Sequence, residues 1–214
     1  MEKSYKGIKI YTTKFIGKKA ETKDTITFKF EIPKDLSWSD GTHFHIAFTD
    51  CMTDFVPDKE LMRHFSVMSM RDEGFLGLTT RIKGELSIFK KRLSKLEVGD
   101  EMLVFKFADY MPLKRESRPI VLISMGVGLA TFRPLIKQFQ RDSDGIPTMT
   151  CINIDSCEEF VYKDEISMID KENFINHHVI SRKELYKNID ECLKDDKSLY
   201  YVVASDGFLK EICS

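Results

Sequence analysis

Ile120-Val-Leu-Ile-Ser-Met125-Gly126-Val-Gly128-Leu-Ala-Thr131-Phe132 is the stretch that decides the fold. Ile120–Met125 is a nearly continuous apolar run, the mark of a strand buried on both faces. Two glycines follow it. Then Phe132, Leu135, Ile136 and Phe139 fall at i, i+3, i+4 and i+7, the stripe of an amphipathic helix. A buried strand that turns directly into a helix is a βα unit. The alternation continues downstream, with a strand at Thr148–Ile154, a helix around Lys163–Ile169 and a strand at His178–Ser181. A helix at Glu184–Leu193, a strand at Leu199–Ala204 and a short helical tail complete it. This pattern predicts a parallel α/β sheet with right-handed crossovers.

Upstream the texture changes. Ile8–Phe15, Thr25–Ile32, Thr42–Phe48, His64–Ser69, Phe75–Ile82 and Glu101–Phe107 read as strands. Thr25-Ile-Thr-Phe-Lys-Phe-Glu-Ile alternates with period two, as a half-buried strand does. Turn residues at Lys34-Asp35, Ser39-Asp40-Gly41, Asp72-Glu73-Gly74 and Gly99-Asp100 separate the runs. Such closely spaced short strands predict a closed antiparallel barrel or a sandwich, with one helix near Ser87–Leu96. The polar stretch Lys114-Arg-Glu-Ser-Arg-Pro119 reads as the linker. The expected class is β plus α/β. A six-stranded antiparallel β-barrel with one helix occupies residues 1–115, and a parallel α/β domain occupies 116–214.

Composition limits the rest. The chain has 214 residues, 42% hydrophobic and 31% charged, so it can bury a core. A net charge of -1 argues against bulk nucleic-acid binding. No apolar run approaches the roughly 20 residues that span a bilayer. The start, Met1-Glu-Lys-Ser-Tyr-Lys, lacks the apolar stretch of a signal peptide. Cys51, Cys151, Cys157, Cys192 and Cys213 form no C-x-x-C pair, which argues against a disulfide framework, a zinc ribbon or an iron–sulfur cluster. The expected setting is a reducing cytoplasm.

Three motifs carry chemistry. Gly126, Gly128 and Thr131 lie between a strand and a helix N-terminus, where a backbone can approach an anion and N–H groups face it. The third glycine of G-x-G-x-x-G is absent, and a tight turn without ligand fits the same residues. Arg63 and Phe65 share a strand face, and Ser66 follows. Arginine forks phosphate, an aromatic stacks on a planar ring and a hydroxyl supplies a hydrogen bond. An ordinary barrel strand is the plainer alternative. Gly84-Glu85-Leu86-Ser87 precedes the single helix, where Ser87 is a ready N-cap.

In this order and spacing, Arg63-His-Phe65-Ser66, Gly84-Glu-Leu-Ser87 and the Gly126–Gly128 turn resemble the ferredoxin–NADP reductase superfamily. That family joins a flavin-binding barrel to a nicotinamide-nucleotide-binding α/β domain. Trp38-Ser-Asp-Gly41-Thr-His-Phe44 and Leu96-Glu-Val-Gly99-Asp100 add to the resemblance. It implies that Arg63 pairs with a phosphate of FAD, Phe65 stacks on the isoalloxazine, and Ser66 lies near flavin N5, a catalytic place. Val67 and Met68 would offer backbone groups to the flavin. Gly84, Glu85, Leu86 and Ser87 would cradle the pyrophosphate. Gly126, Gly128 and Thr131 would hold the phosphates of NADP or NAD, and Ser181 with Arg182 the 2′-phosphate of NADP. The implied enzyme passes a hydride from NAD(P)H to FAD and electrons onward, to a partner such as ferredoxin or flavodoxin.

The sequence also departs from the family pattern. Phe65 stands where Tyr is usual. Ala204-Ser205-Asp206-Gly207 stands where Cys-Gly-Pro is usual, leaving Ser205 as the catalytic candidate there. Ala130-Thr-Phe-Arg-Pro134 replaces Thr-Pro-Phe, and Phe107-Ala-Asp-Tyr110 lacks a Gly-x-Phe ending. These departures keep open a non-catalytic flavin-binding electron-transfer subunit with a degenerate nicotinamide site. His43 and His45 share a strand face without a third ligand at useful spacing, so no metal site is expected. His177-His178 reads as the structural start of a strand. Lys90-Lys91-Arg92 reads as the solvated face of its helix, with an acidic protein partner as the alternative.

Overall fold

In a computed structural model that describes residues 3–5, 8–53 and 56–212, the chain divides into two units, Met1–Pro112 and Leu113–Ser214. Cys213 lies outside the described residues.

The first unit is a curled antiparallel sheet. Its strands are β1 (Lys3–Tyr5), β2 (Ile8–Ala20), β3 (Thr25–Phe30), β4 (Thr42–Phe48), β7 (Met62–Ser66), β8 (Leu76–Arg81) and β9 (Glu101–Asp109), with a small hairpin of β5 (Met52–Thr53) and β6 (Val56–Pro57) apart from it. The order is β7-β4-β9-β2-β3-β8, with β1 added to β2. At the seam between β7 and β8 the Met68 amide donates to the Gly77 carbonyl at 3.0 Å, just past the end of β7. The alternation read at Thr25 puts Phe28 and Phe30 into the core beside Phe15, Phe44, Ile46, Leu76, Leu78 and Val104. Helix α1 (Ile88–Leu93) closes that core with Phe89 and Leu93. Strand β2 runs past the expected Phe15 to Ala20 through a bulge between Phe15 and Gly17, which turns Ile16 outward at 40% exposure.

The second unit is a four-stranded parallel sheet ordered β12-β11-β10-β13, from β10 (Ile120–Met125), β11 (Met149–Ile154), β12 (Phe174–Val179) and β13 (Leu199–Val203). The helices are α2 (Leu129–Arg141), α3 (Lys163–Ser167), α4 (Arg182–Cys192) and α5 (Asp206–Ile212). Val121, Ile123, Ile152, Ile154 and Val179 form a core with Leu185 and Ile189 of α4 and Phe208 of α5. Phe132, Leu135, Ile136 and Phe139 of α2 are buried, as the stripe predicted, and Leu129 at the helix start is buried with them.

Several expected bounds shift: the strand placed at His64–Ser69 is β7 at Met62–Ser66, and the helix placed around Lys163–Ile169 ends at Ser167. The strand placed at His178–Ser181 is β12 at Phe174–Val179, so His177-His178 lies near its end and not at its start. It is an edge strand, only half buried, and its polar Asn176-His177-His178 carries no apolar run to mark it. The helix placed at Ser87–Leu96 is shorter, with Ser87 as its N-cap. Among the described residues no helix is long and apolar enough to cross a membrane.

Candidate functional site

In the first unit the register sets the site. Strand β7 pairs with β4 so that Phe65 lies opposite Phe44 and Arg63 opposite Ile46, while Ser66 lies opposite His43 and His64 opposite His45. Phe44 and Ile46 point into the core, so Arg63 and Phe65 share that side with Phe89 of α1. The Phe65 and Phe89 ring centroids are 6.0 Å apart, and the Arg63 guanidinium lies 5.7 Å from the Phe89 centroid. Arg63 Nη1 donates to the Lys59 and Met62 carbonyls, each at 2.6 Å. Both partners are neutral, and among the described residues no carboxylate pairs with Arg63.

The opposite side of β7 carries a polar cluster. Ser66 Oγ is 3.0 Å from His43 Nε2, and His43 Nδ1 is 3.3 Å from the Gly41 carbonyl. The His43 ring is 5.1 Å from that of His64 and 5.6 Å from that of Tyr110. Tyr110 arrives because β9 exits directly over Gly41. A Cβ at Gly41, whose φ is +89°, would meet the Met111 carbonyl oxygen at 2.1 Å, so only glycine fits. Burial, then the neighbouring His64, hold His43 below the ordinary imidazole range. Among the described residues no group of three or more His, Cys, Asp or Glu is placed to hold a metal.

Past β7 the chain is buried. The Val67 amide donates to the Thr42 carbonyl at 2.9 Å and that of Met68 to Gly77, so both N–H groups are committed within the unit. The Gly84–Ser87 turn is open. Gly84 has φ +67°, and a Cβ there would meet nothing within 4 Å. Glu85 and Ser87 are exposed and Leu86 is partly covered. Ser87 Oγ accepts from the Lys90 amide at 3.4 Å, as an N-cap.

The basic run after it is not uniformly solvated, which corrects the sequence reading. Arg92 makes two 3.0 Å hydrogen bonds to Asp50 and lies over Phe48, 4.0 Å from its centroid. Lys90 is half buried and donates to the Arg81 carbonyl at 2.9 Å. Burial first, then Arg81 and Arg63, push its pKa down. Only Lys91 of the three is exposed.

In the second unit the expected residues gather at the carboxyl ends of the parallel strands. Gly126 opens a 3-10 turn with φ +52°, which favours glycine, and leads into α2. Gly128 is needed for packing, since a Cβ would meet the Val203 carbonyl oxygen at 2.9 Å. Thr131 is 5% exposed. Asn153, fully buried and missed by the sequence reading, donates to Ser124 Oγ at 2.7 Å and to the Gly126 carbonyl at 3.2 Å, which ties the turn to β11. Its Oδ1 has no hydrogen-bond partner.

Ser181 caps α4, its Oγ accepting from the Glu184 amide at 3.3 Å. Arg182 is ion-paired to Glu211 of α5, which also receives the Tyr186 hydroxyl. The guanidinium charge expected for a 2′-phosphate is therefore answered by a carboxylate of the same unit. Ser205 lies exposed between β13 and α5, where its carbonyl accepts from the Leu209 amide at 2.9 Å. Within α2, Arg133 is 7% exposed and holds Glu165 of α3 through two hydrogen bonds of 2.8 and 2.7 Å, joined by Lys137 at 2.8 Å.

No protein-family model matches the sequence, and no curated protein sequence does. Solved structures do match. A ferredoxin NADP+ reductase from Neisseria gonorrhoeae with bound FAD and NADP superposes with a TM-score of 0.76 at 18% identity, over 94% of this chain and 87% of that one. Ferredoxin-NADP+ reductase from Plasmodium falciparum with 2'P-AMP gives 0.79 at 13% identity, over 96% and 90%. The CS-b5R domains of human Ncb5or (NAD+ form) give 0.78 at 13% identity, over 97% and 65%. The chain has the ferredoxin–NADP+ reductase fold.

Proposed function

We propose that the protein is a flavin-dependent oxidoreductase that takes a hydride from NAD(P)H onto bound FAD and passes electrons to an acceptor. One observation carries the reading: Arg63, half buried and unanswered by any described carboxylate, packs with Phe65 against Phe89 of α1, the helix that the open Gly84–Ser87 turn leads into. A cation without a counter-ion, an aromatic face and a glycine turn with room at its Cβ fit a flavin with its phosphates. The fold adds support, since the Neisseria structure with this architecture holds FAD and NADP.

Bound FAD supplies a two-electron acceptor that can release electrons singly. The chain supplies position. Arg63 neutralises phosphate with a fork already oriented by the Lys59 and Met62 carbonyls. Phe65 offers stacking area, and without a phenolic hydroxyl it adds no hydrogen bond. Ser66 and His43 form a hydroxyl–imidazole pair. The pair lies on the opposite side of β7 from Arg63 and Phe65, and burial holds His43 below the ordinary imidazole range. On the α/β unit, Gly126 and the first turn of α2 receive the nicotinamide nucleotide's phosphates, with Thr131, Ser181, Arg182 and Ser205 along the same edge of the sheet. The acceptor is a small electron-transfer protein of the ferredoxin or flavodoxin kind.

Anaerobic mixing of the FAD-loaded protein with NADPH, and separately NADH, tests the hydride step. Bleaching of the flavin's visible band supports it. The Arg182–Glu211 pair and the Ala204-Ser205 departure favour a second reading, a flavin-binding electron-transfer subunit with a degenerate nicotinamide site. An unbleached flavin with both nucleotides selects that reading.

A further inference from the structure

Three imidazoles meet across the β4–β7 pair, on the side away from Arg63 and Phe65. The register sets His64 of β7 opposite His45 of β4, and Ser66 opposite His43. The His64 ring lies 5.1 Å from that of His43 and 5.0 Å from that of His45, so one β7 imidazole leans on two from β4. His64 is exposed, and the two on β4 are half buried. Both His43 nitrogens are engaged, Nε2 with Ser66 Oγ at 3.0 Å and Nδ1 with the Gly41 carbonyl at 3.3 Å. His45 Nδ1 is buried with no hydrogen-bond partner, so a charged His45 would carry there an N–H that nothing accepts.

Strand β9 packs against the cluster from the other side of β4. Phe105, opposite His45, stacks on its ring at 5.5 Å, and Tyr110 meets His43 and His64 edge-on at 5.6 and 6.3 Å. Burial first, then His64, disfavour a charge on His43 and on His45. Lys106, next to Phe105, adds to this at His45, whereas Asp109, opposite Thr42, works the other way at His43. Asp109 also accepts from Ser39 Oγ at 2.8 Å. Among the described residues neither His45 nor His64 pairs with a carboxylate. The exposed His64 takes one proton from solvent without a close cation. A second proton puts like charges in adjacent rings. Those rings belong to different strands, so the repulsion acts across the pair, and β7 stands at the end of the pairing order.

We propose that His43, His45 and His64 form a proton-operated latch: neutral imidazoles hold β7 against β4, and a second proton on the cluster opens that strand pair in mild acid. The latch itself stands apart from the flavin reading. Its consequence rests on that reading: Arg63 and Phe65 leave with β7, so acid releases the flavin.

Hydrogen exchange of the flavin-free full chain at about pH 7.5 and about pH 5, corrected for intrinsic amide rates, tests this in the wild type, His64→Gln and His64→Phe. Both variants remove the β7 imidazole at an exposed position. One extra proton held by the open state, over about 1.5 pH units below the ordinary imidazole value, favours opening by up to about 30-fold. In acid, β7 of the wild type is expected to lose protection relative to β3 by about 10- to 30-fold, and β7 of either variant by less than about threefold. The FAD-loaded wild type releases flavin faster in acid by a similar factor, and the variants do not. An equal loss of protection in wild type and both variants overturns the latch. So does a wild-type β7 equally protected at both pH values, or a loss that β3 shares. Opening of β7 with unchanged FAD release keeps the latch and removes its hold on the flavin. A protein that takes up no FAD overturns the flavin reading alone, because the exchange data still decide the latch.

Discussion

Replacing Arg63 by Met separates binding from folding. In the folded protein Arg63 makes two hydrogen bonds through one nitrogen, both to main-chain carbonyls at 2.6 Å. The guanidinium is therefore held in place before any ligand arrives, and little side-chain entropy remains to be lost on binding. A full charge about 4 Å from a phosphate is worth ~4 kcal/mol at an effective dielectric of about 20. Desolvation offsets part of that, and measured charged hydrogen bonds leave about 1.5–3 kcal/mol net. Arg63→Met should then weaken FAD by roughly 10- to 150-fold. The flavin-free protein loses two hydrogen bonds, worth about 0.5–1.5 kcal/mol each. It also escapes repulsion with Lys90, and Met keeps apolar contact with Phe89. These effects oppose one another, so the flavin-free stability should fall by less than the roughly 1–3 kcal/mol that the two lost hydrogen bonds alone would cost. Flavin fluorescence titration reads the affinity, and urea unfolding of the flavin-free protein reads the stability. FAD affinity within about threefold of wild type would refute the reasoning. So would a stability loss large enough to account for the weakened binding.

Further outcomes follow from other contacts. His43, His45, His177 and His178 are all held below the ordinary imidazole range, burial being the first cause in each. The unfolded chain then binds more protons than the fold between those lowered values and about pH 6.5, so stability is full above that pH and falls as acid is added through the window. Urea midpoints taken across it should decline, and a flat profile contradicts the burial of these rings. Glu165→Ala removes the two hydrogen bonds that Arg133, 7% exposed, makes to that carboxylate and should cost about 2–3 kcal/mol by chemical denaturation, below the usual range for a fully buried pair because Glu165 is partly exposed. Glu211→Gln frees Arg182 and should raise the affinity for 2′-phospho-AMP relative to AMP by about 3- to 10-fold. An unchanged ratio would remove Arg182 from 2′-phosphate recognition.

The sequence revealed some elements because their burial is local. The run at Ile120–Met125 and the stripe from Phe132 to Phe139 each state their own period, and both elements stand where that period puts them. Thr42–Phe48 likewise keeps its expected bounds. Edge elements were less legible. Strand β12 carries Asn176, His177 and His178 because one of its edges meets solvent, so its apolar signal is broken. The bulge that carries β2 on to Ala20 is a pairing event with β3, invisible along β2 alone. At the site, Arg63, Phe65 and Ser87 could be singled out from residue type and spacing. The burial of Lys90 could not, because Arg63 and Arg81 reach it from separate strands. The engagement of Arg182 by Glu211 was hidden for the same reason: the partner stands 29 residues away. Charge in a sequence reads as solvated until the fold supplies its neighbours.

On the proposed function, the first unit grips a flavin dinucleotide by its phosphates. Incubating the purified protein with excess FAD and separating the mixture by gel filtration measures this directly. The account predicts a yellow protein peak carrying one FAD per chain. A colourless peak, with all the flavin eluting later as free dye, would contradict it.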